Sequence, residues 1–447
     1  MCQEGPRECP AGIGIATACT FPVSFGLMAA KPDNRDIPTF EEARHLVETH
    51  ASKLRPLQTE TVNLIEAAFR VLAEPISADR DIPPFPRSTR DGYAVRASDV
   101  AKLPAILQVI GEVRAGEALQ RIPAELSQGQ AVSIMTGAPV PNGADAVVMV
   151  EYTSRRGEIV EISRAVTSGE NVVARGAEAR QNSLLLDRGL RLNDAAIALA
   201  ASVGQSRLRV FTRPRVAVLT TGDEIVDYGE IPGPTQIRNS NSYSLAVQIR
   251  QAGGEPVLLP IAPDEAKRLR ELIEEGLQSD LLLLTGGVSM GKYDLVEQTL
   301  AQLHAEFFFT GARIQPGRPV VFGRVQCDGL SRENLGKYFF GLPGNPVSTM
   351  VTFELFARPM LEALAGISPR KLVFVHARLK SEIRVKTGLK RFLPALLSGE
   401  FEDSQVELVS WQGSGDIAAT ARANCYVVIP PDRERIAAGE FVAVLMR

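Results

Sequence analysis

RVAVLTT at residues 215–221, DLLLLT at 280–285 and KYFFG at 337–341 decide the reading of this chain. Each is an apolar run of strand length without polar alternation, the pattern of a strand covered on both faces in a parallel sheet. Helical patterns lie between and after them, over 242–252, 264–277, from Asp294 onward and over 346–364, with further strands at 256–261 and near 319–322. Strands alternating with helices predict βαβ units, hence a central, mostly parallel three-layer α/β domain over residues 213–366.

The flanking regions have a different rhythm. Thr39 and Glu42 form a capping box before the apolar positions Ala43, Leu46 and Val47, so a helix is expected from Thr39. A second helix is expected over 60–73, with Val62, Leu64, Ile65, Ala68 and Phe69 as its buried stripe, and another over 193–203, capped by Asn193 or Asp194. Short apolar runs at 105–110, 131–135 and 146–150, separated by turn residues such as Pro139-Val140-Pro141-Asn142-Gly143, read as irregular β structure. Strands at 372–379, 391–397, 406–410, 425–429 and 441–445 predict a small C-terminal β-barrel. The expected division is 37–76 with 175–212 as an elongated N-terminal domain, 77–174 as a β-rich domain, the α/β domain, and 367–447 as the barrel. Residues 1–36 read as a peripheral, disordered extension, with Met28 as the natural start and the apolar stretch 11–30 interrupted by Pro22.

Composition narrows the function classes. Lys+Arg 49 against Asp+Glu 52 gives a net charge of -3, a poor match for a nucleic-acid binder. No other run is long and charge-free enough to span a membrane. Of five cysteines, Cys2, Cys9 and Cys19 crowd the N-terminus while Cys327 and Cys425 stand apart, and the four histidines lack metal-site spacing. Neither a structural zinc site nor a disulfide framework is indicated, and a reducing, cytoplasmic setting is expected.

In an open parallel sheet, ligands bind beyond the carboxyl ends of the strands. Three glycine-bearing loops follow the three deciding strands: Gly222-Asp223-Glu224, then Gly286-Gly287-Val288-Ser289-Met290-Gly291, and Pro343-Gly344-Asn345. Glycines there allow close backbone approach and leave N–H groups free for a phosphate or another oxyanion. The dinucleotide fingerprint and the P-loop lysine are both absent from these loops. Acidic residues beside such a nest suit Mg2+, which takes oxygen ligands and bridges carboxylates to phosphates. The ordinary readings stay open: each loop as a plain turn, Asp264 as a helix cap, Asp91-Gly92 as a hairpin turn pair, and Arg318 as a surface arginine.

Five motifs occur together in order: Ser88-Thr89-Arg90-Asp91-Gly92-Tyr93-Ala94, Met135-Thr136-Gly137-Ala138-Pro139, Thr221-Gly222-Asp223-Glu224, Gly286-Gly287-Val288-Ser289, and Pro343-Gly344-Asn345-Pro346. With them the chain resembles the molybdopterin molybdenumtransferase family, the bacterial MoeA enzymes and the E domain of gephyrin, over about residues 37–447. The resemblance implies insertion of molybdenum from molybdate into adenylylated molybdopterin, with Mg2+-dependent release of AMP. It implies a homodimer whose cleft is shared between subunits, and contacts with a molybdopterin adenylyltransferase and with molybdoenzymes. Carried over by motif, Asp91, Thr136, Glu224, Asp294 and Arg318 are the expected catalytic residues. Gly222, Asp223, Gly286, Gly287, Ser289, Gly291, Pro343, Gly344, Asn345, Arg391 and Ser414 are expected to bind substrate, and Glu224, Asp264, Asp294 and Glu178 to hold the metal.

Two departures stand out. Gln315 and Arg318 replace the family's lysines, so a lysine restored at 315 is expected to supply a cation, and Glu178 stands for the family's aspartate. Two other readings carry weight: a molybdopterin adenylyltransferase, which shares the α/β domain but ordinarily lacks the flanking regions, and a non-catalytic, gephyrin-like scaffold.

Overall fold

The computed structural model describes residues 37–56, 58–116, 125–287, 295–326, 336–368 and 371–447. The expected extension over 1–36 lies outside the described residues. By packing the chain divides into two units, residues 61–210 and a second unit made of the remainder.

In the second unit the deciding stretches are strands. β1 (Arg215–Thr220), β2 (Glu255–Leu258), β3 (Leu281–Thr285), β4 (Ala305–Phe309), β5 (Val321–Val325) and β6 (Lys337–Leu342) form one sheet in the order β2-β1-β3-β6-β5-β4. The β2, β1, β3 and β6 strands run parallel, and β5 is antiparallel to both β6 and β4. Leu281, Leu282, Leu283 and Leu284 are all buried, so successive side chains enter the cores on opposite faces. That two-sided burial is why the run reads as continuous leucine rather than as alternation.

Helices cover both faces. α1 (Phe40–Ala51) opens on the expected capping box, Thr39 and Glu42 bonding reciprocally. It packs Phe40, Ala43 and Val47 into the same core as β1 and β3. α2 (Asn241–Gln251), α3 (Ala266–Gly276) and α4 (Leu295–Gln302) follow. The long helix expected over 346–364 is present with a difference: Phe353–Ala357 is a π-turn between two α-helical pieces. A π-turn breaks the local carbonyl ladder, and the buried Arg44 of α1 donates to the carbonyl of Leu355 there. α1 is thereby keyed to that turn.

The C-terminal strands, β7 (Val375–Leu379), β8 (Lys390–Ser398), β9 (Gln405–Leu408), β10 (Cys425–Ile429) and β11 (Phe441–Met446), close in the order β8-β9-β7-β11-β10-β8. This is the expected barrel, with no free edge among its five strands. The two-residue strand Ile314–Gln315 pairs with β8, opposing Gln315 to Arg391.

The unit 61–210 carries a six-stranded sheet in which Ala105–Val113, Gln130–Ile134 and Ala146–Met149 realise the expected runs. The helix Asp194–Ser202 is capped by Asn193, whose side chain accepts from the Ala196 N–H. The helix expected over 60–73 does not form. Thr59–Asn63 is a strand and turns follow, with Ile65 79% and Phe69 66% exposed. The reason is competition for backbone donors: the N–H groups of Leu64, Phe69, Leu72 and Ala73 donate to Ser206, Leu192, Leu190 and Arg209. Phe69 also takes a left-handed backbone, which no helix interior accepts.

Candidate active site

The three glycine loops meet at the strand ends. The Thr221 N–H donates to the Thr285 carbonyl at 3.0 Å, joining the ends of β1 and β3. Gly286 has φ +88, and a Cβ there would lie 2.4 Å from the Thr221 carbonyl oxygen, so only glycine fits against the neighbouring loop. At Gly222, with φ +137, a Cβ would meet the Glu224 carboxylate at 2.5 Å, so Glu224 folds back over its own loop. A Cβ at Gly344 would lie 3.5 Å from the Gly286 Cα, which brings the third loop onto the second.

A buried polar side chain ties these loops from behind. Asn241, the first residue of α2 and 8% exposed, donates from Nδ2 to Thr285 Oγ1 and to the Gly344 carbonyl, both at 2.8 Å. The Thr285 hydroxyl in turn donates to the Pro343 carbonyl at 3.3 Å. Asn241 was not among the residues expected from sequence. Its partners lie 44 and 103 positions away, and an asparagine at a helix start reads as a cap.

The acidic residues are only partly gathered. The Asp264 N–H donates to Asp223 Oδ1 at 3.1 Å, and the Thr221 hydroxyl donates to Asp264 Oδ1 at 3.5 Å. Asp264 is not the helix cap. α3 begins at Ala266, and the Glu265 N–H turns back to the Pro263 carbonyl at 2.7 Å, leaving Asp264 one residue short of the cap position and facing the β1 loop. Ser289, Gly291 and Asp294 lie outside the described residues. Among the described residues, no group of three His, Cys, Asp or Glu side chains is placed to hold a metal ion.

Beside α-helix 346–352, the barrel contributes a second set. Arg391, 6% exposed on β8, donates from Nε to Gln315 Oε1 at 2.8 Å and from Nη1 to the Leu389 carbonyl at 3.1 Å. Both acceptors are neutral, and burial lowers the arginine's pKa. A guanidinium nonetheless stays charged, so among the described residues this one is held by neutral acceptors. The Ser414 carbonyl accepts from the Val347 N–H at 3.0 Å, which sets the Gly413-Ser414-Gly415 turn against the Asn345-Pro346 loop. Arg318 is exposed, and its carbonyl closes its loop by accepting from the Ala312 N–H.

In the unit 61–210, Asp91 and Thr136 come together. Asp91 Oδ1 accepts from the Thr136 backbone N–H at 2.6 Å and from its hydroxyl at 2.9 Å. These bonds hold the Asp91 carboxyl below the usual carboxylate range, the backbone bond contributing most. Glu178 is bonded instead to Arg87, Nη2 to Oε1 at 2.8 Å.

The comparisons with known proteins cover most of the chain, from residue 38 to residue 446. Residues 38–204 match the family description "MoeA N-terminal region (domain I and II)", 217–363 match "Probable molybdopterin binding domain", and 376–446 match "MoeA C-terminal region (domain IV)". A molybdopterin molybdenumtransferase of Nostoc sp. (strain PCC 7120) is 33% identical over 419 residues, covering 92% of this chain and 94% of that one. The chain belongs to the MoeA family. Within that family, the Bacillus subtilis (strain 168) molybdopterin molybdenumtransferase is 32% identical, with 87% of this chain and 90% of the other covered. A crystal structure of the MoeA protein from Pyrococcus horikoshii OT3 matches with TM-score 0.73 at 29% identity, over 92% of this chain and 100% of that one. The MoeA architecture is therefore established here: β-rich parts, a central molybdopterin-binding-type α/β domain and a C-terminal barrel.

Proposed function

We propose that the glycine loops at the strand ends bind the phosphate and pterin of adenylylated molybdopterin, and that the Arg318, Arg391 and Ser414 region receives molybdate. As a MoeA-family transferase the chain serves molybdenum insertion in molybdenum cofactor biosynthesis. The finer reading is that the adenylate is released as AMP when molybdate is transferred. The observation that carries it is the junction of Thr221, Gly286 and Gly344, three exposed or close-packed backbone loops on one sheet edge.

Mg2+ suits the donor chemistry. Glu224, Asp223 and Asp264 offer carboxylate oxygens beside the loops, with Asp294 carried over by motif, and this ion needs only one or two carboxylates beside waters and substrate phosphates. Glu224 and Asp264 would hold it, and it would neutralise phosphate charge during AMP release. Glu178 is left out of that set because Arg87 occupies it. The residues themselves divide the remaining work. Gly286, Gly287, Gly344 and Asn345 admit the phosphate closely, with Ser289 and Gly291 carried over by motif as further substrate contacts. Arg318 grips an oxyanion with two parallel N–H donors, while the ionised Asp91, fixed by Thr136, orients a substrate donor. The homodimer is part of this proposal: Asp91 and Thr136 reach the α/β loops of the partner subunit. Cytoplasmic placement and contacts with an adenylyltransferase and with molybdoenzymes complete the reading. No described helix is long and apolar enough to cross a membrane.

The test is AMP release from adenylylated molybdopterin by the purified chain, with Mg2+, with and without molybdate. Molybdate-dependent release is expected; ATP-dependent adenylylation of molybdopterin would identify an adenylyltransferase, and no turnover of either kind a scaffold. Mixing inactive Asp91→Ala subunits with inactive Glu224→Ala subunits should restore activity, because one composite site becomes intact. If subunits exchange and the mixture stays inactive, the shared cleft is wrong.

A further inference from the structure

Asn241 uses only half of its hydrogen-bonding capacity inside the protein. Both Nδ2 bonds are made, to Thr285 Oγ1 and to the Gly344 carbonyl. Its Oδ1 is buried and has no hydrogen-bond partner among the described residues. Buried amide oxygens are nearly always paired, so an orphan invites an explanation. Nearby polar groups do not supply one. Asn239, Ser242 and Thr220 satisfy each other in a separate chain: the Ser242 N–H donates to Asn239 Oδ1, Asn239 Nδ2 to Ser242 Oγ, and Ser242 Oγ lies 2.8 Å from Thr220 Oγ1. The orientation of the Asn241 amide is fixed by chemistry as well. Only an N–H group can face the Gly344 carbonyl, so Oδ1 is the end left over.

The position is what gives the orphan meaning. Thr285 precedes the Gly286-Gly287 turn, and Gly344 belongs to the loop lying on Gly286. We propose that Asn241 is a positioning residue for molybdopterin binding: it clasps these two glycine loops in register and presents Oδ1 to an N–H or O–H donor of the bound pterin substrate. The inference rests on placing that substrate over the α/β loops. A purely structural asparagine would have both ends paired within the fold. This one couples a rigid clasp to one unpartnered acceptor at the same junction.

The test uses the full chain. Asn241→Asp is close to isosteric, but it turns a donor into a carboxylate oxygen facing the Gly344 carbonyl. At neutral pH the KM for the molybdopterin substrate should rise about ten-fold, the effect of one lost hydrogen bond, with a smaller change in kcat. As pH falls and the new carboxyl is protonated, it regains a donor, and KM should return toward the parent value. Asn241→Ala should raise KM at every pH. Thermal melts run alongside each variant. A parent-like KM for Asn241→Asp at all pH values overturns the inference, and so does a pH-independent defect that tracks a lowered Tm. Glu224→Gln separates the two levels of the argument. If it is impaired while Asn241→Asp is normal, only the role of Asn241 fails. If both bind substrate normally, the placement over the loops fails with it.

Discussion

At the scale of single residues, electrostatics and hydrogen bonding give two predictions. Asp91 owes its lowered pKa to the Thr136 backbone N–H first and to the hydroxyl second. A carboxylate depressed in the folded state stabilises above its unfolded pKa, and that contribution is lost as pH falls through the folded value. Thr136→Val removes the hydroxyl bond and keeps the backbone one. Asp91 then protonates at higher pH, so the acid limb of the pH–activity profile should move upward while the alkaline limb stays in place; an unmoved acid limb would show that Asp91 does not control it. The second prediction reverses an expectation drawn from the family resemblance. Gln315 is not merely a missing cation: its Oε1 accepts from the buried Arg391. Gln315→Lys would remove that acceptor and set an ammonium beside a guanidinium, at a cost of about 1–3 kcal/mol for the orphaned donor. It should lower Tm and fail to rescue Arg318→Ala. Arg318→Lys, which keeps charge but not the planar fork, should weaken molybdate use by about 1 kcal/mol. The molybdate concentration for half-maximal turnover, measured across the three variants, decides both points.

At the scale of elements, the strand-end turns carry the strain and the specificity. Gly286 combines a left-handed φ of +88 with a Cβ position 2.4 Å from a carbonyl oxygen of the adjacent loop. Gly286→Ala must therefore shift the β1 and β3 loops relative to each other. A loss of roughly 1–3 kcal/mol is expected from the backbone conformation alone, together with weakened substrate binding. Calorimetry and a binding isotherm with molybdopterin read the two effects; a variant with parent-like affinity would mean the turn does not approach the ligand. The helix starts, by contrast, follow local chemistry: Thr39 with Glu42, and Asn193, are capped as their side chains dictate. The segment 60–73 fails for the opposite reason. Its apolar spacing fits a helix, yet its donors are claimed by residues 190–209, which no local pattern reveals.

At the scale of the molecule, the unit 61–210 has its own cores, one around Tyr93, Leu107, Val148 and Ile162 and another around Leu72, Leu192, Ala200 and Val210. Cores closed within a unit predict independent folding. A fragment of residues 61–210 should show dispersed amide resonances and a cooperative melt. A molten spectrum would mean that this unit depends on the rest of the chain.

The sequence alone determined the parallel strands at 215–220, 281–285 and 337–342, the capped helices at Thr39 and Asn193, the barrel and the family motifs, because burial on two faces, capping and turn chemistry are written within a few residues of where they act. It also picked the glycine loops, since a strand end and a glycine are local facts. The tertiary structure alone decided that Asn241 joins Thr285 to Gly344, that Gln315 partners Arg391, that Asp264 faces Thr221 rather than capping a helix, and that Glu178 belongs to Arg87. Each of these is a polar contact between residues at least 40 positions apart. Hydrogen bonds need a partner within about 3 Å, and only the folded chain determines which groups come that close.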